Sequence, residues 1–550
     1  MSGAGSLAPP ASRAPAAGLS THPWVGIAAV LCGAFISTVT SRLSTFGLAD
    51  IRGAMSAGFD EGAWITTAQG CAQMLIGPPA VWLAAVFGPR RVLVVASLAF
   101  AAVTVLLPLS PDLDTLLVFQ SLAGLASGTF VPLTLSFVMR NLPPRYWAFG
   151  VAAYALNLEL SLNISASLEG WYVEHLSWHW IFWQSVPLAL LMAWCVHRGI
   201  PKAPIAWPLL HGADWFGMAS LAVGLAMLYA ALDQGNRLDW LNSGLVVGLL
   251  AGGALLLVAF VVNERHSPRP WIDLGYATRY PLPLLMALAV ILRVAVLSTA
   301  LLLPQFLVNV HGYRSVEAAP ALLVVALPQV VIAPLVGLVL RRSDARLGVA
   351  VGLTLVGLAS WTVAQSLTRE WVAADFLPFA VMQAFGQTLA MSSVIFFGVQ
   401  HIKPADALSF GVLLQTARLF GGELGTAGMA TWLRVREQVA SQLIGLNVQM
   451  GDLLTQERLQ TYAAAVAARS PGTEEARATG LLAGAVRTQA YVQAYVDGFL
   501  LVAAIMAAAL VLVALLRPAP AGPASPTPLL PRLSRPGRAR GVGPAGGDTA

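Results

Sequence analysis

LPLLMALAVILRVAVLSTALLLPQFLV, residues 282–308, runs for 27 residues with a single charge, Arg293. An α-helix rises 1.5 Å per residue, so a run of this length covers the hydrocarbon core of a bilayer, about 30 Å thick. Backbone amides inside lipid must be satisfied by the segment itself, as a helix, or by neighbours in a closed barrel. A barrel strand would alternate polar and apolar residues over about ten positions, and this stretch does not alternate. It reads as a spanning helix with one costly residue near its middle.

The same pattern recurs outward from it in both directions. Spans are expected at roughly 24–46, 63–85, 91–109, 114–138, 147–167, 178–197, 213–232, 241–262, 282–309, 318–340, 346–366, 372–399, 408–432 and 497–516. Of the 550 residues, 57% are hydrophobic and 11% charged, against about 25% charged in a soluble domain. The fold class is therefore an all-α membrane protein.

Residues 1–22, rich in Ala, Pro, Ser and Gly, and 517–550, rich in Pro, Gly and Arg, hold too little apolar bulk to bury a core. Both read as disordered tails, the first without the basic leader and short apolar core of a signal peptide. Residues 23–200 then form one six-helix unit, 201–280 two extra helices with linkers, and 281–516 a second six-helix unit. The last is interrupted by an external segment, 433–496, of two amphipathic stretches broken at Ser470-Pro471-Gly472, with Thr473 as a helix cap. That segment reads either as a solvated loop or as a docking surface for a periplasmic partner.

A net charge of +6 would suggest nucleic acid in a soluble protein. Here the basic residues sit in short loops, where they set orientation. Loops assigned to the cytoplasm carry Arg90, Arg91, Arg140, Arg145, Arg198, Lys202, Arg265, Arg269, Arg279, Arg341, Arg342, Arg346 and Lys403. Those assigned outside carry Arg52, Arg237, Arg314 and Arg369, with the acids Asp60, Glu61, Asp112, Asp114, Asp233 and Asp239. Both termini are then cytoplasmic, and no nucleic-acid partner is expected. Fourteen spans rather than twelve rests on the pair at 213–262.

No phosphate-binding loop, H-E-x-x-H motif or cysteine pair is present, so neither an enzyme nor a cofactor or metal site is expected. Cys32, Cys71 and Cys195 read as small core residues. His175 and His179, four apart on a Trp-rich external stretch, read as interfacial packing. The sequon Asn163-Ile164-Ser165 lies within a span.

Ionisable residues inside the spans are the informative ones: Glu159, Arg293, Arg418 and Glu423, with Arg42 near the outer end of the first span. A charge at the bilayer centre costs a few kcal/mol even on the gentler insertion scales, so each needs a partner or a watery cavity. Glu159 and Glu423 are candidate proton carriers, and Arg293, Arg418 and Arg42 candidates for a substrate or charge pathway. Buried structural ion pairs are the alternative, and for Arg42 snorkelling to the interface is another. Arg418 and Glu423, five apart, point about 140° from each other around a helix and so face different neighbours. Gly421, Gly422, Gly425 and Gly428 share that helix and allow close packing. Pro78, Pro79, Pro304, Pro328 and Pro334 suggest kinks that line a cavity.

Four stretches carry a resemblance: WITTAQ at 64–69, WHWIFWQSVP at 178–187, LLPQFLVNVHGY at 302–313 and TARLFGGELGTA at 416–427. Over residues 23–517 the chain resembles the major facilitator superfamily, in particular its fourteen-span drug:proton antiporters of the EmrB/QacA type. The resemblance implies two six-helix bundles plus two extra helices. It also implies export of small amphipathic or xenobiotic compounds by proton antiport, across a bacterial inner membrane. The long loop before the last span is similar to that of the Gram-negative branch, which implies a periplasmic membrane-fusion adaptor.

The chain departs from the family at four places. VWLAAVFGPRR at 81–91 lacks the family's Asp-Arg, and NISASLEGW at 163–171 replaces its Gly-Pro-x-x-Gly-Gly. Gln120 stands where the family has a functional arginine, which makes it a further candidate on the charge pathway, and Thr40 where it has an acid. Glu159 and Glu423 are then expected as relocated coupling acids. Two alternatives stay open: uptake or export of a specific organic anion, suggested by three embedded arginines against two glutamates, and a transport-inactive receptor or scaffold.

Overall fold

Apolar runs of this length leave the backbone one economical solution, and the computed structural model is built of helices, with no strand among the described residues. It describes residues 22–267, 270–272, 274–401, 407–449, 451–467 and 474–519. Among the described residues, fourteen helices that correspond to the expected spans follow in order. The first bundle contains α1 (Pro23–Phe46), α2 (Trp64–Phe87), α3 (Pro89–Leu106), α4 (Leu113–Ser127, resumed as Phe130–Asn141), α5 (Trp147–His175) and α6 (Ser185–Gly199). Next come α7 (Trp215–Gly235) and α8 (Gly244–His266). The second bundle contains α9 (Leu282–Leu297, a π-turn at Ser298–Leu302, then Leu303–His311), α10 (Ser315–Arg342), α11 (Ala345–Ser366), α12 (Leu377–His401), α13 (Ala407–Leu446) and α14 (Glu474–Ala514).

Twelve described helices are long and apolar enough to cross a membrane. The two long ones that fall short are α5 and α13, because polar residues interrupt their apolar surface. They are also the helices that join the two bundles: α5 packs on α10 and α12, and α13 on α2 and α4. The architecture is two six-helix bundles plus the pair α7–α8, consistent with fourteen spans. Of that pair, α7 sits against α2 and α13, while α8 packs chiefly on α7 and leaves Leu245, Leu255, Val258 and Val262 exposed. In water such a girdle would invite aggregation; in lipid it is the face that meets the solvent.

Helix ends follow local chemistry. Asp112, Asp214 and Asp344 cap α4, α7 and α11 by accepting from the amides of Thr115, Gly217 and Arg346 at 2.8, 2.9 and 3.0 Å. Gly88, at φ +85°, makes the tight turn from α2 to α3 that a side chain would strain. Pro78 and Pro79 lie inside α2, and Pro328 and Pro334 inside α10, without ending either helix. Pro304 follows the π-turn of α9, where the carbonyl ladder is already displaced.

Two expectations about extent need correction. Spans expected to stop at 432 and start at 497 belong to much longer helices, α13 to Leu446 and α14 from Glu474, with a further helix at Leu453–Ala467 between them. No Gly or Pro stands near 433 to stop a helix, and good helix formers carry it about 20 Å further. The break at Ser470-Pro471-Gly472, Thr473, Lys403, Arg269 and all of the two tails but residues 22 and 517–519 lie outside the described residues. The second correction is Asp233, assigned to an external loop but placed inside α7.

Candidate functional site

The polar residues of α5 and α13 face a seam where the two bundles meet. On its second-bundle side, α9 and α13 approach through glycines. A Cβ on Gly421 would lie 2.8 Å from the Val290 side chain, and one on Gly425 3.2 Å from Val294. Gly422 does something different, because a Cβ there would meet Nε of Arg293 at 3.2 Å. The missing side chain is the seat of that guanidinium. Gly428 meets nothing within 4 Å and has no such role.

Arg293 and Arg418 line one cavity of about 40 Å³ with Tyr154 and an apolar wall that includes Leu158, Met286, Met391 and Phe410. Arg418 donates from Nε to Oε1 of Gln415 at 3.2 Å. The Gln415 side chain in turn rests on Gly77 of α2, across the seam. Nε of Arg293 is buried without a hydrogen-bond partner. Among the described residues, no carboxylate lies in salt-bridge range of Arg42, Arg293 or Arg418. Arg42 and Arg418 are close enough for their charges to act on Arg293.

Glu159 sits on α5, 1% exposed. Its Oε2 accepts from Thr388 Oγ1 at 2.9 Å and from Gln329 Nε2 at 3.3 Å, both on the second bundle. Its Oε1 has no partner. Asn163, one turn on, donates to the Glu159 carbonyl at 3.1 Å and to Oε1 of Gln329 at 3.4 Å. The carboxylate is thus held by neutral donors across the seam rather than by an arginine in contact.

Glu423 has other neighbours, as its angular distance from Arg418 requires. Tyr229 of α7 packs on Gly70 of α2, where a Cβ would collide with the ring, and lies beside Glu423. One turn on, Asp233 accepts from Thr67 of α2 and, at 3.3 Å, from Gln234. Asp233 and Arg42 both act electrostatically on Glu423. Arg42 therefore turns inward from α1 and does not reach out to the interface. This cluster joins α1, α2, α7 and α13, and two of its members were missed from sequence. The available signal was LYAALDQG at 228–235, whose Tyr229 and Asp233 share a helix face at i and i+4.

Gln120 stands apart from the other five candidates. It is 0% exposed and donates to Ser44 Oγ and Gln69 Oε1, both at 3.2 Å. Ser44 donates to the Thr40 carbonyl at 3.0 Å, and the Thr40 hydroxyl meets that of Ser185 at 2.8 Å. Positions 40 and 120 thus belong to one uncharged network enclosed in the first bundle.

The remaining polar residues have local roles. The ring of His175 stacks on Trp171, and that of His179 packs against Trp178 and Trp183. Cys32, Cys71 and Cys195 are free thiols. No group of three metal-ligating side chains is found among the described residues.

A family profile described as Major Facilitator Superfamily matches residues 30–426. The probable multidrug resistance protein EmrY of Escherichia coli is 25% identical over 76% of this chain and 82% of its own. The multidrug export protein EmrB of Haemophilus influenzae is 24% identical over 72% and 77%. The fatty acid resistance protein FarB of Neisseria gonorrhoeae is 25% identical over 75% and 81%. Among solved structures, the proton:xylose symporter XylE superposes with a TM-score of 0.53 over 89% of this chain and 96% of its own, at 11% identity. The human organic anion transporter MFSD10 gives 0.51 over 88% and 99%, at 13%. Likenesses this remote in sequence speak for the fold alone.

Proposed function

The chain belongs to the Major Facilitator Superfamily, and from that premise we propose that it exports small amphipathic or xenobiotic compounds, driven by protons moving the other way. It is a multi-pass membrane protein of a transporter family. The reading is supported by relatives named for multidrug export and resistance. The observation that carries it is the placement of Glu159 and Glu423 at the seam, the first bonded to the other bundle and the second within the electrostatic reach of Asp233 on α7 and Arg42 on α1. When two bundles rock, contacts across a seam are the ones that change, so acids there see different partners in the two states. A carboxylate that gains and loses partners can take a proton on one side and release it on the other.

The proposed setting is a bacterial inner membrane with both termini in the cytoplasm, from the arginine bias of the loops. A periplasmic adaptor is part of the proposal. Val435, Val439, Leu443 and Leu446 are exposed along one face of the projecting end of α13, a spacing that suits a partner helix.

The test is pH-gradient-driven flux in proteoliposomes of Glu423→Gln and Glu159→Gln, with binding and folded yield measured on the same preparations. The amide keeps the shape but cannot titrate. Gradient-driven flux is expected to fall about tenfold or more with binding retained. Normal flux in both variants removes the proton mechanism.

A further inference from the structure

The geometry points to an amphipathic anion as the cargo of the seam cavity. Its carboxylate or sulfonate head would sit between Arg293 and Arg418, and its apolar tail against Leu158, Met286, Met391 and Phe410. This inference rests on the export reading for its physiological sense, but the site stands on its own geometry.

Three features carry it. First, the charges are unbalanced locally. Guanidinium groups do not deprotonate in proteins, and Arg42 and Arg418 both lie within electrostatic reach of Arg293 with no carboxylate in salt-bridge contact. Glu423 offsets Arg42, which leaves Arg293 and Arg418 as the excess. Glu159 is the acid whose charge reaches Arg293, and its own contacts are with Thr388 and Gln329. Like charges gathered in an apolar wall repel strongly, and an anion between them is the simplest relief.

Second, donors are left over. Nε of Arg293 is buried and unpartnered, and Arg418 has one side-chain hydrogen bond, to Gln415, out of the five donors a guanidinium offers. Planar forks of this kind match the two oxygens of a carboxylate. Third, the rest of the wall is apolar, so it suits a hydrocarbon or aromatic tail and repels a cation by the same charges that hold the anion. At about 40 Å³ the cavity admits a head group or a water or two, so loading a whole amphiphile requires the bundles to part.

The experiment compares octanoate, octanamide and octylammonium, which share a tail and differ in charge, for binding to the full chain in nanodiscs and for transport in proteoliposomes. Octanoate is expected to bind roughly tenfold or more tightly than octanamide, with octylammonium weakest. Arg293→Gln and Arg418→Gln are each expected to remove that preference for octanoate over octanamide, and Arg418→Lys to restore part of it. If the glutamine variants do not fold, the charge series on the unaltered chain decides alone. Equal binding of the three, or tighter binding of octylammonium, overturns the anion site. Transport of octylammonium or octanamide without octanoate removes the anion and keeps the exporter. Selective binding of octanoate with transport of none of the three keeps the site and removes the exporter.

Discussion

The interior of the first bundle and the seam between the bundles are both polar, and they are built on opposite rules. Inside the first bundle, Gln120, Gln69, Ser44, Thr40 and Ser185 form a network without a formal charge, sealed from outside. Along the seam, Arg42, Arg293, Arg418, Glu159, Glu423 and Asp233 bring six ionisable groups together, most of them only half buried. A neutral side chain can be satisfied by fixed neighbours, whereas a charge inside a membrane needs a counter-charge, water or a ligand. The difference separates what moves as a rigid unit from what exchanges partners. Neutrality at positions 40 and 120 goes together: an acid at 40 without an arginine at 120, or the reverse, would be a buried unpaired ion.

The sharpest way to break that comparison is to charge the neutral side. Gln120→Arg should destabilise the protein by about 3 kcal/mol or more, read as lost folded yield and a lower unfolding temperature in detergent. Adding Thr40→Asp to the same chain should recover most of the loss, since the acid enters one turn from Ser44, which Gln120 contacts. A single variant as stable as the parent would mean that water reaches the bundle core and that the two regions do not differ in kind.

Neighbouring glycines sharpen it next. Gly421→Ala places its Cβ 2.8 Å from the Val290 side chain and 3.2 Å from that residue's backbone, so two helices must separate. Overpacking of this kind costs about 1–3 kcal/mol. Gly422→Ala meets only the flexible end of Arg293, which can yield into the cavity. Its stability should stay near the parent's while octanoate affinity falls. Equal loss of stability in both would make the stripe packing alone.

How much of this was legible in the sequence follows from the same contrast. Long apolar runs announced most helices directly, because lipid enforces backbone satisfaction within each run. The helices that carry the site, α5 and α13, were expected at 147–167 and 408–432, although polar residues dilute their apolar pattern below that of the other spans. Glu159, Arg293, Arg418 and Glu423 stood out as charges where none is cheap. Asp233 did not, since an acid at the end of a run looks like the start of a loop, and only the packing of α7 on α2 makes it interior. Gln120 was grouped with the pathway by analogy of position, and a neutral side chain gives no sign of which way it faces. The length of α13 was hidden because helix propensity, unlike hydropathy, does not change where the membrane ends.

The smallest effect separates two turns on the side assigned to the cytoplasm, one in each bundle. Between α2 and α3 the turn has no acid, and Arg91 donates to the carbonyls of Phe87 and Ala203, both at 3.0 Å. Between α10 and α11, Asp344 accepts from Arg346 Nη2 at 2.7 Å and Nε at 3.0 Å, while Arg346 Nη1 reaches the Leu516 carbonyl at 2.9 Å and ties α11 to the end of α14. Partial burial pushes the Asp344 carboxyl upward, but the bonds from Arg346 outweigh it and hold the group below the ordinary carboxylate range. A carboxyl lowered in the folded state adds stability above its unfolded pKa, about 4, and loses it as pH falls through the lower folded value. Both partners are about one-third exposed, so screening limits the contribution to roughly 1 kcal/mol or less. Asn also caps a helix, so Asp344→Asn removes the charge and keeps the cap. The variant should be slightly less stable than the parent near pH 7, with the gap closing below about pH 4. Thermal unfolding across that range measures it. A gap that persists in acid would assign the tie between α11 and α14 to hydrogen-bond geometry, which is how Arg91 holds the other turn without any acid.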